Sequence, residues 1–203
     1  MNFEEINEQL GFTLTEESIE SFSENQLTIF KKVKSGKSIL LNGPISNEMD
    51  LVLELISFSK APDQLEGSPR VLWLTPTIDR AHQLLKQFKI RFRKTEITPE
   101  LAVNKGKMIE QRNLIFDGCE ILIGNPKRII ELYNQNGFHV NQLKLLIIDD
   151  FESICKDIAA STAIRRLAES LPSCQKIIQF QKEHSRQKEI LEIICPFYEE
   201  IVI

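Results

Sequence analysis

Asp149 and Asp150 are adjacent carboxylates that follow the apolar run LKLLII at 143–148. At a strand end, one such side chain could hold a hydrated divalent ion. The competing reading makes the pair a cap for a helix beginning just beyond the strand, where the helix dipole favours negative charge. A second centre lies at LLNGPISNEMD, residues 40–50, where an apolar strand ends in Asn42-Gly43-Pro44 and helical character resumes at Leu51. That strand, turn and helix order belongs to phosphate-binding loops. Such a loop asks for a second Gly, then Lys, then Ser or Thr, because backbone N–H groups cradle the phosphates, the ammonium reaches them and the hydroxyl holds magnesium. Counted from Gly43, those places hold Glu48, Met49 and Asp50. Two carboxylates suit the helix dipole but would repel a triphosphate.

Local chemistry also predicts the shape of this loop. Pro44 fixes φ, and non-glycine residues do not readily supply the turns of an open cradle, so residues 43–48 are expected to lack one. Ser46 or Asn47 should cap a helix starting near Glu48. SGKS at 35–38 contains Gly-Lys-Ser, but it precedes the strand and has Lys31 five positions before Gly36. It reads as a turn into the strand.

These residues need elements to position them. Strand-like apolar runs fall at 38–41, 71–74, 120–123, 143–148, 176–180 and 200–203, and helix-patterned segments at 49–59, 78–93, 107–116, 126–134, 161–171 and 185–194. The alternation predicts an α/β fold with a parallel sheet covered by helices on both faces, and LKLLII is the near-continuous run of a central strand. Pro62–Pro69 reads as an exposed loop. Ligands in such sheets lie at the carboxyl ends of the strands. There the sequence places residues 42–47, Thr75-Pro76-Thr77, Gly124-Asn125-Pro126, Asp149-Asp150 and residues 179–182.

The chain has 203 residues, room for one α/β domain with a large core, and 42% of them are hydrophobic and 27% charged. No basic start with an apolar run and no membrane-length stretch is present, so the expectation is a cytoplasmic protein without a membrane partner. Cys119, Cys155, Cys174 and Cys195 are scattered, which favours reduced thiols over a disulfide framework or zinc site. No metal is expected, Asp149 being the one weak candidate ligand. A net charge of −4 argues against a general electrostatic grip on nucleic acid. Charge is uneven, however: residues 1–25 are acidic, whereas KQFKIRFRK at 86–94 is basic with aromatics interleaved. The latter reads first as a solvated helix face, although such a face can touch phosphate.

Taken in order, the strand-end segments resemble the N-terminal RecA-like domain of DEAD-box RNA helicases. Gln26 stands ten residues before Gly36, where that family's glutamine reads the adenine edge. LTPTIDRA at 74–81 is similar to the PTRELA motif, with Pro76, Thr77 and Ala81 kept and Ile78 in place of its Arg. The run from 108 to 133 resembles the family's stretch ending in TPGR, with Pro126 and Arg128 kept and Asn125 and Lys127 substituted. Asp149, Asp150, Phe151 and Glu152 stand in the four places of the DEAD box, and Phe180-Gln181-Lys182 where the Ser-Ala-Thr motif falls.

The resemblance implies a three-layer RecA-like, P-loop NTPase type of domain over 26–203, preceded by an acidic arm at 1–25. It also implies a nucleotide side made of Gln26, Gly43, Ser46, Glu48, Met49 and Asp50. A working member would bind ATP with magnesium, use the first DEAD acid for the metal and the Glu to position water, and hydrolyse ATP in a cleft between two such domains. Here the Lys and Thr are Met49 and Asp50, the Glu is Asp150, and the Ser-Ala-Thr hydroxyls are missing. The expectation is a domain without ATPase activity or cofactor that binds RNA or a protein, its nucleic-acid face being Thr77, Arg80, Asn125, Lys127 and Arg128. Two other readings stay open: the ATP-binding part of a working RNA helicase, and an unrelated α/β enzyme with a pocket at the strand ends. EEIVI at the end of the chain falls where the family's first domain ends, a position shared by a single-domain protein and a piece of a larger one. The bland readings are a surface salt bridge for Arg128 and a place in the first turn of an amphipathic helix for Gln26.

Overall fold

A computed structural model describes residues 21–61, 66–182 and 185–203. Most of the acidic arm expected at 1–25 lies outside them. The described chain begins with α1 (Glu24–Lys34), then runs β1 (Ile39–Asn42), α2 (Asn47–Lys60), β2 (Val71–Leu74), α3 (Ile78–Arg91), β3 (Pro99–Ala102), α4 (Met108–Asp117) and β4 (Ile121–Gly124). It continues through α5 (Pro126–Asn134), β5 (Leu145–Ile148), α6 (Phe151–Lys156), α7 (Ile158–Ala168), β6 (Gln175–Phe180), α8 (Gln187–Ile194) and β7 (Glu199–Val202).

All strand pairings among the described residues are parallel, in the order β3-β4-β2-β5-β6-β1-β7. Alternation along each central strand splits the core in two. Val71 and Trp73 of β2 pack in one layer with α1, α2 and α3, while Leu72 and Leu74 pack in the other with residues of α5 to α8. Both faces are dry, which is why VLWL, ILIG and LLII carry no polar alternation. The expected α/β fold with helices on both sheet faces is therefore observed.

The differences are local. PELA at 99–102 was not expected as a strand; it begins with proline, is half-exposed in the middle and pairs on one side only, with β4. Proline is tolerated there because the first residue of an edge strand need not donate to a ladder. Gly124 allows the approach of the two strands, since a Cβ there would lie 2.2 Å from the Ala102 carbonyl oxygen. Helix α7 starts at Ile158, not 161, because Asp157 accepts from the backbone N–H groups of Ala159 and Ala160 and caps it. The loop expected to be exposed at 62–69 is buried from Gly67 to Pro69, where the Gly67 carbonyl accepts from His139 N at 2.7 Å; residues 62–65 fall outside the described residues. Gly36 takes φ +80° in the turn leading to β1, as SGKS suggested.

Candidate functional site

Helix α2 begins directly after the turn at the end of β1, capped by Ser46, whose Oγ accepts from Met49 N at 3.3 Å. No residue from 43 to 48 takes positive φ. The loop is held on its inner side by the Gln179 amide, which donates to the Pro44 carbonyl at 3.4 Å, and by Gly43 N, which donates to the Phe180 carbonyl at 3.0 Å. Met49, in the place of a phosphate-reaching ammonium, is buried in the apolar core, and Glu48 points to solvent. Gln26 lies in the first turn of α1 in a capping box with Ser23, and its Nε2 donates to the Glu48 carbonyl at 3.3 Å. Both ends of its amide serve backbone groups, so the place expected to read an adenine edge instead ties α1 to α2.

Asp50 and Asp149 come together from α2 and the end of β5. Between them lies Arg80, in the first turn of α3. Its Nη1 and Nη2 donate to the two Asp50 carboxylate oxygens at 2.8 and 2.5 Å, and its Nε donates to Asp149 Oδ2 at 2.6 Å. Expected on a nucleic-acid face, Arg80 is instead turned inward: its side chain is 13% exposed, those of Asp50 and Asp149 2% and 0%. A buried carboxylate pair recruits the nearest guanidinium because an unpaired charge there is costly. Asp149 Oδ1 keeps no hydrogen-bond partner. Burial pushes the Asp149 carboxyl up to about 6 although Arg80 pulls it down, and the charges of Asp50 and Asp150 add to the rise. Burial works to lower the Arg80 pKa, but the hydrogen bonds and charges of Asp50 and Asp149 outweigh it and the pKa rises.

The two acids that end β5 divide their roles. Asp150, at φ 47°, caps α6 through Oδ1, which accepts from Ser153 N at 3.2 Å. Asp149 caps nothing. Phe151 is buried in the core, and Glu152 accepts from Gln181 N at 3.1 Å, linking the first turn of α6 to the residue that follows β6. Ser46, Asn47, Asp50, Thr77, Arg80 and Asp149 line a cleft of about 320 Å³. It offers a magnesium–triphosphate no ammonium, no hydroxyl at position 50, Ser46 being engaged in capping α2, and no unclaimed carboxylate pair, so the residues present do not fit that group.

Beside the cleft, the segments after β2 and β4 run together, with Thr75 N donating to the Gly124 carbonyl at 2.9 Å. Thr77 caps α3 by accepting from Arg80 N at 3.2 Å. Asn125 precedes Pro126 at the start of α5 and is paired with Asn104: its Oδ1 accepts from Asn104 N at 3.2 Å and its Nδ2 donates to Asn104 Oδ1. Lys127 pairs with Asp157 at 2.9 Å, both half-exposed. Arg128 is only 8% exposed at its side chain, forms an ion pair with Glu131 at 3.1 Å and donates to Gln111 at 3.4 Å. Thr77, Asn125, Lys127 and Arg128 are thus brought to neighbouring strand ends, whereas Arg80 leaves them for the carboxylates. Asn104 was missed as a positioning residue because it lies in no motif, whereas Gln111 and Gln179 lie in segments already singled out, 108–133 and 179–182, whose pattern does not reveal the backbone and side-chain groups they hold. The signal that could have exposed Arg80 was a new acid in one motif, Asp50, matched by a new base in another.

A model of the DEAD/DEAH box helicase family matches residues 14–182. An ATP-dependent RNA helicase RhlB from Hamiltonella defensa subsp. Acyrthosiphon pisum is 30% identical over 108 residues, covering 53% of this chain and 25% of that protein. The chloroplastic DEAD-box ATP-dependent RNA helicase 3A of Zea mays is 22% identical over 186 residues, 86% of this chain and 24% of the relative. Among solved structures, a hypothetical ATP-dependent RNA helicase from Sulfolobus tokodaii superposes with TM-score 0.84 at 15% identity, over 97% of this chain and 57% of that one. S. cerevisiae Dbp5 bound to RNA and ADP BeF3 gives TM-score 0.82 at 15% identity, over 100% of this chain and 52% of that one. The structural likeness is one of fold. This chain spans about a quarter of the length of the curated relatives and about half of the solved chains.

Proposed function

Because the chain belongs to the DEAD/DEAH box helicase family and carries its RecA-like domain fold, we propose that it is an ATPase-inactive domain that binds RNA without a nucleotide cycle. The observation that carries the reading is the fate of the phosphate loop. Met49 is packed into the core and Asp50 is neutralised by Arg80, where an ammonium and a metal-binding hydroxyl would stand in a working engine. The loop backbone is drawn onto Gln179 and Phe180, and Ser46 is spent on capping α2.

RNA contact is assigned to the strand-end segments holding Thr77, Asn125, Lys127 and Arg128. Lys127 is the more accessible of the two cations, and Thr77 and Asn125 stand at helix N-termini, which suit phosphate. With a net charge of −4 and cations already paired to Asp157 and Glu131, affinity is weak, falls with added salt and shows little base preference.

Calorimetry with magnesium-ATP, and anisotropy with labelled single-stranded RNA at low salt, test the reading. No ATP heat, RNA binding, and loss of that binding in Lys127→Glu are expected. A micromolar ATP affinity would overturn it in favour of the ATP-binding part of a working helicase. Absence of RNA binding would transfer the surface to a protein partner.

A further inference from the structure

Two departures from the family pattern, in motifs thirty residues apart, meet in space. Asp50 replaces the hydroxyl residue of the phosphate loop, and Arg80 stands in TPTIDRA where PTRELA has leucine. Neither is explained alone. A carboxylate at position 50 would be buried beside Asp149 with nothing to offset two negative charges, and an arginine at position 80 would bring a cation into the same dry place. Together they form a fork with three donated hydrogen bonds of 2.8, 2.5 and 2.6 Å. A guanidinium suits this position better than an ammonium, because it is weakly hydrated and its planar fork matches a carboxylate bidentately while its Nε reaches a second one.

We infer that Arg80 is a resident counter-ion that stands in for a divalent cation at the end of β5, and that taking it away uncovers a divalent-cation site made by Asp50 and Asp149. Two facing carboxylates are what a hard divalent ion recruits, and Asp149 Oδ1 is already buried without a hydrogen-bond partner. The cleft is then closed to metal by occupancy, in addition to lacking phosphate ligands. This rests on the reading that no metal–nucleotide binds, so its test uses metal alone and its outcome is separate from that of the ATP titration.

The test is calorimetry with manganese chloride, without nucleotide, on wild type, Arg80→Leu and Arg80→Leu/Asp149→Asn, with thermal unfolding in parallel. Arg80→Leu is expected to bind one manganese ion at least roughly tenfold more tightly than wild type and to gain thermal stability from it, and the double variant to lose both effects. A folded Arg80→Leu that does not respond to manganese, or a wild type that responds equally, overturns the inference. Should Arg80→Leu fail to fold, Asp50→Asn/Arg80→Leu decides. Recovery of folding in that pair supports the counter-ion role, and a pair as unstable as the single variant overturns it.

Discussion

Glu54 and Arg91 form an ion pair between α2 and α3 in which the carboxylate is fully buried. Glu54 follows Asp50 by four residues, one turn of α2, so the same helix face that meets Arg80 meets a second arginine of α3. The helices covering one sheet face are therefore clamped twice by acid–arginine pairs, which holds the rim of the cleft in place.

Removing one partner of that pair strands a buried charge. Arg91→Leu is expected to cost about 3–5 kcal/mol, read as a fall in the urea midpoint at unchanged m-value. Glu54→Leu/Arg91→Leu should recover most of the loss. If the double variant is no more stable than the single one, the pair is not what holds α2 to α3.

Asp149 gives stability a pH dependence with a defined sign. Its carboxyl lies at about 6 in the folded chain against an ordinary 3.8, chiefly through burial, so folding favours the neutral form. The associated stability is complete below the ordinary value and is lost as pH rises through about 6. Asp157, held low by its hydrogen bond to Lys127, and Glu199, held low by Lys32 and Lys37, act the other way and lose stability as pH falls. Comparison with Asp149→Asn isolates the first effect: the wild type should lose stability relative to that variant as pH rises from the ordinary 3.8 through about 6. Parallel stability profiles for the two proteins would refute it.

Gly124→Ala places a methyl 2.2 Å from the Ala102 carbonyl oxygen, against backbone that pairs β3 to β4. A loss of about 1–3 kcal/mol is expected from overpacking, with faster amide exchange in 99–102. Gly36→Ala meets no atom within 4 Å and pays only for its φ of +80°. It should cost about 1–2 kcal/mol and leave exchange in β3 unchanged.

Ser46→Ala removes the cap of α2 and should lower stability by about 1 kcal/mol in chemical denaturation. Ser46→Asp keeps an acceptor at the N-terminus and should restore it. Equal losses in both variants would mean that the hydroxyl serves something other than the helix end.

The strands buried on both faces were legible in the sequence, because VLWL, ILIG and LLII must be apolar at every position to lie between two helix layers. Strand β3 was not: PELA is an edge strand, half-exposed and led by proline, and its apolar signal is too short to separate from a loop. The altered phosphate loop could be read by counting from Gly43, since its chemistry depends on consecutive residues. The cap of α2 was legible as Ser46 or Asn47, being a contact across three residues, and the structure selects Ser46.

The pairing partners of the strand-end cations were not legible. Arg80, Lys127 and Arg128 look alike in the sequence as basic residues following a strand, yet one is buried between Asp50 and Asp149, one pairs half-exposed with Asp157, and one lies against Glu131 and Gln111. The sequence alone determined the layered α/β fold and the substituted residues of the phosphate loop, Glu48, Met49 and Asp50, both written in local pattern. Only the tertiary structure decided where the charges go. Asp50 and Asp149 lie 30 and 69 residues from Arg80 along the chain, and an acid and a base so separated find each other only when the fold excludes water from both.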